Sequence, residues 1–204
     1  MGPMRRRFGL LLAVGCVAFV LFAASTFMLS ERHRGEGQVA SAPPDIGGPF
    51  TLVDGSGKQV TDREFRGKYL LVYFGYTYCP DVCPTTLAEV SAALDKLGSK
   101  AAQVQPLFIT VDPKRDTPEV MKRYTDAFDS RIIGLTGTPE EIAVVAKEYR
   151  VYYAADRPGD GRDDYTVDHS SILYLMGRDG EFMAPIRPDE SGAEMAAEIS
   201  RHLR

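Results

Sequence analysis

The sequence predicts an α/β domain, an open mixed sheet with helices on both faces, preceded by one N-terminal apolar span. Three observations predict it. Short apolar runs alternate with stripes of three-and-four spacing through the middle of the chain, as strand–helix–strand units do. The final third changes to paired strands around Arg178-Asp179-Gly180, followed by a last helical stretch. Between an apolar run and a helical pattern stand Cys79 and Cys83. With only 3 cysteines in the chain, this is a functional pair, not part of a disulfide scaffold.

Residues 8–29 carry no charge, follow Arg5-Arg6-Arg7 and precede Glu31-Arg32-His33-Arg34. Such a run is long enough to cross a bilayer as a helix, and the arginines favour a cytoplasmic N-terminus with the remainder exported. The run outlasts a signal-peptide core and continues past Ala23-Ala24-Ser25, so an anchor is expected over a cleaved leader. Cys16, with apolar sequence on both sides, reads as membrane filler. Residues 1–31 are therefore expected to be a short tail and anchor, 32–46 a flexible linker, and 47–204 the folded domain.

Within the domain, residues 50–53 and 59–61 predict a hairpin around Asp54-Gly55-Ser56-Gly57-Lys58. The near-continuous apolar run over 69–75 predicts a buried central strand. Leu87, Val90, Leu94 and Leu97 form the apolar stripe of a helix over 84–97, with Pro84 suited to its first turn. Residues 104–111 predict a second buried strand, and Thr117 is placed to cap the helix that follows. A short strand over 132–135 leads to a helix from Thr138-Pro139-Glu140-Glu141 to about Arg150. Residues 165–169 and 171–176 then lead to a hairpin partner over 181–186, and 189–203 close the chain as a helix. The polar, glycine-rich stretch 157–164 predicts a loop that lets His169 swing.

The 24 basic and 28 acidic residues give a net charge of -4, which argues against a nucleic-acid surface. A strand that delivers Cys79 and Cys83 to the start of a helix places them where free N–H groups and the helix dipole favour thiolate. This is the thioredoxin arrangement, with the site at the carboxyl end of a central strand. Sequence alone permits either metal binding or disulfide exchange. Three histidines exist, and only His169 lies in an ordered context; His33 is in the tether and His202 near the C-terminus. Two thiolates and one imidazole suit Cu(I) by softness and can hold Cu(II) through the imidazole, whereas zinc usually takes a fourth ligand. Asp81 and Asp168 read as loop and strand residues, and Asp112, Arg115 and Asp116 as a turn and helix cap with internal charge pairs.

Three segments carry a family resemblance. Gly75-Tyr76-Thr77-Tyr78-Cys79-Pro80-Asp81-Val82-Cys83-Pro84, Val111-Asp112-Pro113-Lys114-Arg115-Asp116-Thr117-Pro118 and Asp168-His169-Ser170 resemble the CPxxCP, VDPxRDTP and DHS segments of the Sco/SenC family. These are membrane-anchored copper proteins with a thioredoxin-like fold that help assemble the dinuclear copper centre of cytochrome c oxidase. The resemblance implies Cys79, Cys83 and His169 as ligands of one copper ion, Cu(I) or Cu(II). It implies a metallochaperone that hands copper to the apo copper-bearing oxidase subunit, with a thioredoxin-like reductant or a second copper carrier as further partners. The expected location is the bacterial inner membrane, single-pass, with the domain in the periplasm. Three residues between the cysteines, not two, and Thr77 two before Cys79, not three, set the chain apart from thioredoxins and peroxiredoxins. The alternative function is a thiol-disulfide oxidoreductase that reduces the oxidase cysteines; it needs no histidine.

Overall fold

Strand β3 (Tyr69–Gly75) is buried at every residue, and the sheet is built outward from it. In the computed structural model, residues 45–156 and 165–203 are described. The expected anchor, Cys16, His33, nearly all of the linker and the loop over 157–164 lie outside the described residues. No helix among the described residues is long and apolar enough to cross a membrane.

The expected hairpin is β1 (Thr51–Asp54) and β2 (Gln59–Thr61). Asp54 Oδ1 accepts the backbone N–H groups of Ser56 and Lys58 and so closes the turn. After β3 the chain alternates α1 (Val82–Leu97), β4 (Val104–Thr110), α2 (Pro118–Asp126), β5 (Ile133–Thr136) and α3 (Pro139–Glu148). It continues with β6 (Tyr153–Asp156), β7 (Thr166–His169), β8 (Leu173–Met176), β9 (Phe182–Ile186) and α4 (Gly192–His202). The main sheet has the order β2-β1-β5-β4-β3-β8-β9, with β3, β4 and β5 parallel and the outer pairings antiparallel.

Alternation along β3 sends its side chains to two layers. Tyr73 faces Phe108 and Cys83 of α1, and Phe108 in turn stacks on Tyr124 of α2. Phe74, one residue on, packs on Tyr149 just after α3. Helices therefore cover both faces, as expected. The predicted stripe of α1 is the buried one: Leu87, Val90, Leu94 and Leu97 are all in the core. Gly98 ends α1 at φ 57, a left-handed position that glycine takes without a steric cost. Thr117, Thr138 and Ser191 cap α2, α3 and α4 by accepting backbone N–H groups.

Two features differ from expectation. The helix from Thr138 stops at Glu148, because Arg150 turns left-handed at φ 54 and the N–H groups of Arg150 and Val151 bond back to Lys147 and Ala146. This is a Schellman-type ending with arginine where glycine is usual, which hid it from the sequence. The strand carrying His169 also stays out of the main sheet. It pairs with β6, a strand the sequence did not suggest, as a separate two-stranded ribbon with His169 opposite Tyr153. The expected antiparallel hairpin is β8–β9 alone.

The carboxyl ends of β3 and β4 are locked together by Asp116, which is fully buried. Its carboxylate accepts from Thr77 N–H (3.0 Å), the Thr77 hydroxyl and the Thr110 hydroxyl (2.6 Å), while its carbonyl accepts from Thr136 (2.7 Å). The segment resembling VDPxRDTP is thus the clamp on the loop that leads to Cys79. Asp116→Ala leaves one buried donor, the Thr110 hydroxyl, and two part-buried donors of Thr77 unpaired and is expected to lower unfolding free energy by about 2 kcal/mol or more, read by denaturant titration; a change within about 0.5 kcal/mol would place the carboxylate outside this clamp.

Candidate metal centre

Cys79 lies in the turn after β3, its N–H bonded to Tyr76 O at 3.2 Å. Cys83 is in the first turn of α1 and is fully buried. The helix N-cap is Asp81, whose side chain makes no capping bond. In its place, Cys79 Sγ accepts the Cys83 N–H at 3.4 Å, so a sulfur satisfies one of the helix's unpaired donors. Three intervening residues let the chain bend back far enough to do this.

His169, at the end of β7, is 86 positions from Cys83, yet its Nε2 lies 3.5 Å from Cys83 Sγ. Its Nδ1 is 3.1 Å from the Ser170 carbonyl. A carbonyl can only accept, so Nδ1 carries the proton and Nε2 turns its lone pair toward the sulfurs. The ring is held edge-on between Tyr76 and Tyr73, with centroids 5.9 and 6.4 Å away. The donor atoms of Cys79, Cys83 and His169 all lie within 4.8 Å of one another. A first-row ion about 2.3 Å from sulfur and about 2.0 Å from nitrogen in a trigonal plane needs donors roughly 3.7–4.0 Å apart. The three donors are therefore close to a three-coordinate arrangement and need only small side-chain adjustments to close on an ion.

Both cysteines are free thiols, and their acidities diverge. Cys79 is held well below the ordinary thiol range, first by the hydrogen bond from Cys83, and then, against the cost of burial, by backbone N–H groups. Cys83 is pushed up, first by its hydrogen bond to Cys79 and then by burial. The metal-free pair thus holds one shared proton, with the charge on the more accessible sulfur. The Tyr73 phenol, pushed up chiefly by burial, keeps its proton and points it at Cys83 Sγ from 3.7 Å.

Side chains from the clamp segment fix where β7 sits. Arg115 pairs with Asp112, and its Nη1 donates to the Tyr165 carbonyl at 2.9 Å. The guanidinium lies over the rings of Tyr165, Tyr78 and Tyr76, 3.7, 4.7 and 5.7 Å from their centroids. Tyr165 OH donates to Asp112 Oδ1 at 2.7 Å, and Tyr76 OH accepts the Val167 N–H at 3.2 Å. Asp112 and Arg115 form the internal charge pair expected of them, whereas Asp116 serves as the clamp on Thr77 and Thr110 and the cap of α2 is Thr117.

The structure brings Cys79, Cys83 and His169 together. It keeps Asp81 and Asp168 exposed, with Asp168 opposite Ala154 on the ribbon, and His202 pairs with Glu198 in α4. Sequence reasoning missed Tyr73, Tyr76 and Gly75. A Cβ at Gly75 would lie 2.7 Å from both Cys83 Sγ and Phe108 Cε2; a glycine inside an otherwise apolar strand was the available signal.

Fold and site define a class: a thioredoxin-like domain whose strand-to-helix dithiol is joined by a histidine from a separate ribbon. The chain belongs to the SCO1/SenC family, whose model matches residues 38–204. It is 42% identical over 177 residues to the human mitochondrial SCO1 homolog, covering 86% of this chain and 58% of that protein. It is 51% identical over 136 residues to SenC of Rhodobacter capsulatus, covering 67% of this chain and 61% of that protein. Its fold is also similar to that of Bradyrhizobium japonicum ScoI solved with copper bound, at 50% identity and a TM-score of 0.71, covering 78% of this chain and 99% of that one.

A thiolate confined to Cys79 predicts that iodoacetamide modifies Cys79 before Cys83 in the reduced, metal-free protein. Because the Cys79 value is depressed, the reaction should persist below about pH 7, where a free thiol near 8.5 is mostly protonated. Peptide mapping across pH checks this, and equal labelling of both cysteines with an ordinary thiol profile would contradict it.

Proposed function

We propose that this protein is a copper metallochaperone that binds one ion through Cys79, Cys83 and His169 and passes it to an apo subunit of cytochrome c oxidase, for its dinuclear copper centre. The observation that carries the proposal is the convergence of two sulfurs and one imidazole nitrogen within 4.8 Å. Soft thiolates and an imidazole match copper in both oxidation states. Support also comes from the copper held by Bradyrhizobium japonicum ScoI at 50% identity. The chain spans about 60% of the length of its first curated relatives, 58% and 60% for the human and mouse proteins.

Transfer would proceed by ligand exchange. Three ligands leave one approach to the ion open, so an incoming thiolate of the recipient can bind before a donor thiolate leaves. Loading releases the proton that Cys83 holds in the metal-free pair. The charge-free run over residues 8–29 would tether the domain to a bacterial inner membrane, N-terminus cytoplasmic and domain periplasmic, with the linker giving it reach.

The second reading, a thiol-disulfide oxidoreductase acting on the oxidase cysteines, is favoured by the raised acidity of Cys79 beside a buried partner thiol. His169 discriminates between the two. Anaerobic Cu(I) titration of the reduced full chain in detergent, against a chromophoric chelator, should give one tight site. Cys79→Ala or Cys83→Ala should each lower Cu(I) affinity by more than about 100-fold, beyond what loss of a partner that only supports a ligand costs. His169→Ala should weaken Cu(II) binding more than Cu(I) binding. Weak, non-stoichiometric copper binding together with rapid disulfide exchange that survives His169→Ala would make the protein a thiol reductase.

A further inference from the structure

Tyr73 touches two of the three donor side chains at once. It lies in β3 opposite Phe108 on one side and Leu173 on the other and is 1% exposed. Its hydroxyl is 3.7 Å from Cys83 Sγ, and its ring meets His169 at 66° with centroids 6.4 Å apart. The core role alone would be filled by phenylalanine. The layer already contains Phe108 against Tyr73, with centroids 5.8 Å apart, and a buried phenol costs free energy unless its O–H finds an acceptor. The acceptor it finds is a sulfur of the metal centre. The Thr86 hydroxyl, which donates to the Val82 carbonyl at 2.8 Å within α1, is a second hydrogen-bond neighbour of Tyr73, so the phenol lies between that oxygen and Cys83 Sγ. Gly75 makes the approach possible, since a Cβ there would meet Cys83 Sγ at 2.7 Å.

We propose that Tyr73 is a tuning and positioning residue of the copper site, whose hydroxyl bond to Cys83 Sγ limits the electron density this sulfur gives the ion and so favours Cu(I) over Cu(II). The inference rests on the copper reading of the site. Hydrogen bonds to a ligating cysteine sulfur withdraw density from the metal–sulfur bond and shift the balance of copper oxidation states. They also lower the energy of the sulfur orbital from which charge transfer to Cu(II) begins, so the absorption band moves to higher energy. The tyrosine lies inside the core, 1% exposed, and its contact with the donor set is through the hydroxyl bond to Cys83 Sγ. The reduced ion is the one that thiolate exchange carries most readily, because soft ligands hold it without the imidazole.

The test is the visible absorption of the full chain in detergent loaded with one equivalent of Cu(II), with parallel competition titrations for Cu(I) and Cu(II). Three proteins are compared: the natural chain, Tyr73→Phe, and the chain with 3-fluorotyrosine at position 73, a stronger donor of nearly the same shape. Tyr73→Phe should move the sulfur-to-copper band to lower energy and lower the ratio of Cu(I) to Cu(II) affinity by about tenfold, the scale of one hydrogen bond to a charged acceptor. The fluorinated chain should shift the band the opposite way, and it carries the test alone if Tyr73→Phe does not fold. A band and a ratio unchanged across the folded proteins would overturn the inference while leaving copper binding intact. A natural chain with no sulfur-to-copper band would overturn the copper reading at Cys83 and this inference with it.

Discussion

The tie between Arg115 and the strand bearing His169 is the contact on which the metal centre depends. His169 belongs to a two-stranded ribbon, whereas the cysteines sit at the end of a strand in the seven-stranded sheet. The two sheets share no ladder, so side chains set the distance between imidazole and sulfur. Arg115 holds the Tyr165 carbonyl, lies on three tyrosine rings and is paired with Asp112, which also takes the Tyr165 hydroxyl. A nearly buried ion pair of this kind contributes little net stability, because desolvation offsets most of the attraction. Its effect is geometric: a planar guanidinium with several donors and an aromatic surround accepts one arrangement of the ribbon. The neighbouring Asp116 fixes the loop before Cys79 through Thr77. One short segment, residues 111–118, thereby places both halves of the site.

The dithiol has its own internal logic. Cys79 Sγ caps the helix that carries Cys83, so the helix start and the thiolate stabilise each other. The proton left on Cys83 is buried and shared with Cys79. Such a pair is poised for two chemistries, and neither sulfur needs to move far for either. A metal ion takes the place of the shared proton, while an oxidant would remove it with two electrons and close a disulfide. The histidine adds a third donor to the first chemistry and nothing to the second.

Much of this was legible in the sequence, and the parts that were not have a common physical cause. Strand β3, the helix stripe from Leu87 to Leu97 and the caps at Thr117 and Thr138 are local patterns, and local periodicity reads them. Cys79, Cys83 and His169 stood out because thiols and histidines are rare in this chain. The ribbon strand Tyr153–Asp156 escaped because Tyr-Ala-Ala-Asp has neither a clear alternation nor a turn before it, and Arg150 ends the preceding helix in a conformation usually marked by glycine. Tyr73 and Tyr76 looked like core residues, as by burial they are. Their contacts with sulfur, histidine and the ribbon depend on which strand face meets which loop, and this long-range information is not carried by any window of sequence.

The most direct measurement is X-ray absorption at the copper edge of the full chain loaded with one equivalent of copper in the Cu(II) state, then reduced in place. A site preformed by the ribbon and the dithiol predicts two sulfur scatterers at about 2.3 Å and at least one imidazole nitrogen at about 2.0 Å before reduction, with the two sulfurs retained afterwards. An oxygen- and nitrogen-only environment, or a single sulfur in both states, would contradict a copper centre built from Cys79, Cys83 and His169.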